Sequence, residues 1–140
     1  MAIEILKITT VGSAGSATGS GTISGLRGVL ARLIVNWHAS APAGTSDLTI
    51  VETWDGGSRT IYTKSNAVTD VDLVPQVAAS DNAGAAITGA YGYIALVGGT
   101  ITVTVAQSDA PVSYTHLSGT LTTNAGVRVD VYVLFNDVTV

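Results

Sequence analysis

The chain has no cysteine, which rules out disulfides and thiolate metal sites together. Charge is the next shortage. Only 11% of the residues are Asp, Glu, Lys or Arg, against about 25% in an ordinary globular domain. No cluster of Lys or Arg occurs and the net charge is −4, so nucleic acid is not expected as a direct partner. Mean hydropathy is +0.44, yet long apolar runs are missing too. The most apolar stretch, residues 29–35, is short and contains Arg32, well below the ~20 residues that span a bilayer. No membrane partner is expected. The opening Met-Ala-Ile-Glu-Ile-Leu-Lys has an acidic residue early and no long apolar core, so it does not read as a signal peptide.

What is present must make up for so little charge. The surface of a free monomer is usually about 25–35% charged. Either Thr, Ser and Gly solvate the exterior here, or much of the exterior is contact area in an assembly. The second is the expectation. At 140 residues the chain suits a single domain, able to bury roughly 68% of the surface its unfolded form exposes.

The pattern along the chain is that of strands. Around Gly98-Gly99, residues 91–97 and 100–105 are β-rich, and Ile101, Val103 and Val105 alternate with Thr100, Thr102 and Thr104. That period of two separates an aliphatic face from a hydroxyl face, and the glycine pair suits a two-residue hairpin. Residues 2–11 read as a first strand with Ile3 and Ile5 opposite Leu6 and Ile8. Residues 12–25 shift to Gly, Ser, Ala and Thr, the composition of a flexible arm. The expected organisation is therefore an N-terminal strand and arm over 1–25 and a β-sandwich over 26–140, one domain in all. Residues 26–37 fit both a helical and an alternating template, and Gly28, Ile34-Val35 and Trp37 favour a buried strand. Asp55-Gly56-Gly57 turns one strand back on the next. Residues 68–74 form a short strand stopped by Pro75, and residues 80–84 are turn chemistry. Residues 109–126 read as loop, with one short strand at 120–122. Val127, Val129, Val131, Val133 and Phe135 alternate most clearly of all. About eight strands and no amphipathic helix predict an all-β, antiparallel β-sandwich.

Candidate chemistry is thin. Gly19-Ser20-Gly21 lacks the third glycine and the lysine of a phosphate loop. His38 and His116 (the latter near Tyr114) are the only histidines, and no Gly-x-Ser-x-Gly elbow nominates a nucleophile for them. With no thiolate, zinc would need both histidines and carboxylates. Asp70 and Asp72 share a strand face but lack the dense oxygen loop that Ca²⁺ requires. Glu52, Asp55, Asp70 and Asp72 yield carboxylate pairs, as any ten acids would. Trp37 and Trp54 are expected in or beside the core. Tyr91 and Tyr93 share one strand face, with Tyr62 and Tyr132 on other strands; exposed, such rings would stack on a sugar, but Tyr is also the residue interfaces favour. No catalytic residue, metal or cofactor is expected. A contact surface is expected to draw on Ile3, Ile5, Leu6 and Ile8, with Tyr91, Tyr93 and Tyr132.

The order of segments resembles a family of small structural proteins of tailed-bacteriophage virions. The resemblance runs through Leu-Arg-Gly-Val-Leu-Ala-Arg-Leu at 26–33, Ser-Asp-Leu-Thr-Ile at 46–50 and Arg-Thr-Ile-Tyr at 59–62. It continues with Asp-Leu-Val-Pro-Gln-Val at 72–77, Asp-Asn-Ala-Gly-Ala-Ala-Ile at 81–87, Gly-Gly-Thr-Ile-Thr-Val-Thr-Val-Ala at 98–106 and Val-Asp-Val-Tyr-Val at 129–133. It implies a β-sandwich, the jelly roll being one form of it, that acts as a capsid decoration (cement) protein. Such proteins sit on the capsid exterior as homotrimers and clamp neighbouring subunits of the major capsid protein lattice. The alternatives from residue chemistry are a carbohydrate- or receptor-binding module and a tail or neck component.

Overall fold

The computed structural model describes residues 2–13, 15–37, 45–67, 69–108 and 128–137. They form eleven strands, all paired antiparallel, and no helix. The strands are β1 Ala2–Thr9, β2 Ala17–Ser24, β3 Arg27–Trp37, β4 Asp47–Trp54, β5 Gly57–Lys64, β6 Val71–Leu73, β7 Gln76–Ser80, β8 Ala86–Tyr93, β9 Ala95–Val97, β10 Thr100–Ser108 and β11 Arg128–Asp137. One sheet runs β1-β11-β3, with β6 and β9 both on the far edge of β3; the second runs β2-β10-β4-β5. The fold is all-β and sandwich-like. Among the described residues no helix is long and apolar enough to cross a membrane.

Alternation decides which side chains meet between the sheets. Leu33, Val35, Val131 and Val133 from the first sheet and Leu48, Ile50, Ile101, Val103 and Val105 from the second are all essentially buried. Since successive strand residues point to opposite faces, the hydroxyl partners Thr100, Thr102 and Thr104 fall on the outer side, half-buried. The ambiguous 26–37 segment is strand β3, inserted between β11 and the β6/β9 edge. On β1, Ile3 and Ile5 face out while Leu6 and Ile8 face the core.

Two expectations are corrected. The Gly/Ser-rich segment is not a flexible arm, because residues 17–24 are strand β2, an integral member of the second sheet. Its glycines are there for closeness. A Cβ on Gly19 would lie 2.7 Å from the Thr9 carbonyl oxygen, and one on Gly21 would lie 3.1–3.2 Å from Leu6 and Ile8. The missing side chains let β2 pass tightly against β1 where the two sheets meet at a corner. Nor is Gly98-Gly99 the tip of a hairpin. β9 belongs to the first sheet and β10 to the second, so the glycines carry the chain from one sheet to the other. The β2-to-β3 connection crosses beside them in the opposite sense. The Gly25 N–H donates to the Gly99 carbonyl at 3.1 Å, and the Gly98 N–H to the Leu26 carbonyl at 2.9 Å.

The far edge of β3 holds a further feature. β6 and β9 lie end to end along it, like one edge strand cut in two. From Leu33 to Val29, β3 moves four residues, whereas its partner consumes twenty-two, from Leu73 to Ala95. The excess of eighteen is the length of Gln76–Tyr93, the β7–β8 hairpin. That hairpin is a separate two-stranded sheet. The count of eleven strands rather than about eight follows from β2, from this excursion and from the divided edge.

Candidate interaction surfaces

Two uncovered apolar surfaces stand out, and the strand register explains both. On the outer face of the first sheet, Ile5, Tyr132, Ile34 and Asp72 form one row across β1, β11, β3 and β6, and Ile3, Leu134 and Arg32 form the next. Ile3 is 56% exposed and Ile5 47%. Beside them Ile34, Asn36, Val71 and Tyr132 line an open depression of about 340 Å³, with Asp70 and Asp72 at its rim. The second surface is the β7–β8 hairpin. None of its residues is buried, and Val77, Ile87, Tyr91 and Tyr93 are its large uncovered side chains, the tyrosines 66% and 61% exposed.

The acids that the sequence offered as candidate ligands are occupied by protein donors. Arg32 grips Asp72 with two hydrogen bonds, Nε to Oδ1 at 2.6 Å and Nη2 to Oδ2 at 2.5 Å. Those bonds, with the guanidinium charge, hold the Asp72 carboxyl below its ordinary pKa and raise that of Arg32. Both side chains are about half exposed, so solvent screens the pair and its worth to stability is small. Asp70 Oδ1 accepts the backbone N–H of Trp37 at 2.8 Å. Asp55 sits exposed in the β4–β5 turn. Among the described residues no three His, Asp or Glu side chains gather where a metal ion could be held. His38, Tyr114, His116, Val68, Val127, the strand expected at 120–122 and the loop expected at 109–126 lie outside the described residues.

Of the seven residues nominated for a contact surface, Ile3, Ile5 and Tyr132 lie together on the outer sheet face, and Tyr91 and Tyr93 lie on the hairpin. Leu6 and Ile8 belong to the chain's own interior, Ile8 with 1% exposure. Trp37 is buried and Trp54 and Tyr62 are half-buried.

One group escaped sequence reasoning as a structural element. Glu52 is wholly buried, its Oε2 accepting Arg59 Nε at 3.1 Å and Nη2 at 2.5 Å while Oε1 accepts the Val97 N–H at 2.9 Å. Arg59 also donates to the Ala95 carbonyl and lies over the Trp54 ring, 5.6 Å from its centroid. The pair therefore ties β4 and β5 of the second sheet to β9 of the first. Its signal was present: Glu52 shares the parity of Leu48 and Ile50, and the two-residue turn at Asp55-Gly56 sets Arg59 directly opposite. Both oxygens of this carboxylate are taken up by donors from β5 and β9, and it joins the two sheets.

Compared with known protein families, with curated proteins and with solved structures, the chain matches none of them. What it does is therefore argued from its own surfaces.

Proposed function

We propose that this chain is a non-enzymatic structural subunit of a tailed-phage virion, a decoration protein that binds the outside of the capsid and bridges neighbouring capsid subunits, most simply as a homotrimer. The observation that carries the reading is the pairing of scarce charge with two separate uncovered apolar surfaces, the outer face of β1, β11 and β3 and the β7–β8 hairpin. A chain made to live alone in water would be expected to cover or charge such areas. Repetition on a lattice adds up weak contacts, so each interface can be modest. The likeness of segment order to virion structural proteins supplies the location.

The test is co-sedimentation with capsid shells that lack the protein, together with the temperature at which those shells break. Binding to the shells and a higher breaking temperature are expected. Shells from a phage deleted for the gene that withstand heat as well as wild-type shells would end the reading. A second reading draws on Tyr91 and Tyr93, which stand exposed side by side on one strand face and would suit a sugar ring. A glycan array decides it: binding lost in Tyr91→Ala would favour it over the capsid role.

A further inference from the structure

The β7–β8 hairpin is an insertion that the sandwich does not need. Removing Gln76–Tyr93 would rejoin Pro75 to Ile94 and restore one edge strand along β3, with the Leu30 N–H already bonded to the Ile94 carbonyl at 2.8 Å. A two-stranded hairpin with neither face packed is marginal in water, so eighteen such residues imply something for them to pack against. Their only charged side chain is Asp81. Its Oδ1 is turned inward on its own turn, accepting the N–H groups of Ala83 and Ala85 at 2.9 Å. The hairpin thus presents uncharged, largely apolar faces, and strands of about 3.4 Å rise per residue carry its tip roughly 25 Å along β8.

We infer that the β7–β8 hairpin is an oligomerisation arm that seats on the outer face of β1, β11 and β3 in a second copy of this chain. Area singles out a second copy. With aromatic side chains burying about 150–250 Å² each, the exposed fractions of Tyr91 and Tyr93 leave on the order of 250 Å² to cover. Ile87 brings this to roughly 330 Å², under half of the ~800 Å² that one partner brings to a stable interface, while Val77, opposite Gly92, lies on the hairpin's other face. An arm docked one way on a foreign surface stops there. In a closed symmetric assembly each copy gives an arm and receives one, so twice the arm's area is covered per copy. Ile3, Ile5 and Tyr132 give the acceptor an apolar centre, bordered on β1 by the exposed Lys7 and on β3 and β6 by Arg32 and Asp72, which neutralise each other.

The inference takes from the proposed function only that copies of the chain meet, and a capsid is not required to test it. Mass in solution is measured by light scattering for the full chain, for a variant lacking residues 76–93, for Tyr91→Ser with Tyr93→Ser, and for Ile3→Glu with Ile5→Glu. The full chain is expected to be oligomeric and each variant at least about 100-fold weaker in self-association, with an unchanged strand signature by circular dichroism. Should the deletion fail to fold, the two double substitutions, all at exposed side chains, still decide. A monomeric full chain, or oligomers that survive the tyrosine or isoleucine substitutions, would overturn the arm. So would an arm-deleted oligomer that has lost only its grip on shells, which would place the arm on a capsid subunit and spare the proposed function. Arm-dependent oligomers that ignore shells would support the arm and overturn the capsid role.

Discussion

Replacing Arg59 by Ala removes one half of an ion pair whose other half cannot reach water. Glu52 has a side chain only 1% exposed, and it would lose both hydrogen bonds to its Oε2. Breaking a buried pair from one side costs about 3–5 kcal/mol, because the remaining charge is stranded. Two features pull the figure to the low end: the Val97 N–H still serves Oε1, and Arg59 itself is 28% exposed. Loss of the cation over Trp54 adds about 0.5–1 kcal/mol. A total of about 3.5–4 kcal/mol in a domain of this size lowers the melting temperature by about 10–15 °C. Glu52→Gln keeps an acceptor and leaves as the unpaired ion only Arg59, which reaches water, so it should cost less. The Glu52→Leu/Arg59→Met pair should melt above Arg59→Ala, held back mainly by the orphaned Val97 N–H at about 1–3 kcal/mol. Thermal unfolding followed by circular dichroism measures all three, with Arg32→Ala as the exposed comparison, where solvent screening leaves little to lose. If Arg59→Ala melts no lower than Arg32→Ala, the pair is not a sheet-to-sheet tie and the reasoning fails.

Gly19→Ala should destabilise by about 1–3 kcal/mol, as its new Cβ meets the Thr9 backbone. Gly92→Ala, where nothing lies within 4 Å, should stay within about 0.5 kcal/mol of wild type in urea titrations. Because Asp72 has its carboxyl pKa lowered in the folded state, its contribution is present above the ordinary carboxylate pKa and is lost as pH falls through the lowered value. Asp72→Asn should therefore flatten the acid side of the melting-temperature profile slightly, and an unchanged acid slope would count against the bidentate geometry. Leu33→Ala, at a wholly buried site between the sheets, should cost about 2–5 kcal/mol in the same titrations.

The sequence was legible wherever burial follows a period of two. Ile101, Val103 and Val105, and likewise Val131, Val133 and Phe135, face the interior as their alternation requires. The β4–β5 hairpin follows from Asp55-Gly56, with Gly56 at φ 88°. Reading stopped where the partner was remote. Nothing within residues 91–105 says that β9 will pair with residues 27–29 and β10 with residues 47–53 and 19–24, and so a glycine pair fit for a hairpin joins two sheets instead. The composition of residues 12–25 resembled a linker because glycine permits flexibility; in the fold, Gly19 and Gly21 serve to bring two backbones together. Of the candidate surface, the direction of Ile3 and Ile5 was readable from parity. The excursion that carries Tyr91 and Tyr93 was not, since only the two registers on β3 reveal it.

The position of β11 bears on how the molecule comes into being. It lies between β1 and β3, so the middle of the first sheet is made of the last described strand, and β1 finds its ladder partners 119 to 133 residues downstream. Pairings this remote form slowly. While residues 128–137 are still unmade, β1 lacks its ladder partner and β3 can pair only along its other edge, with β6 and β9.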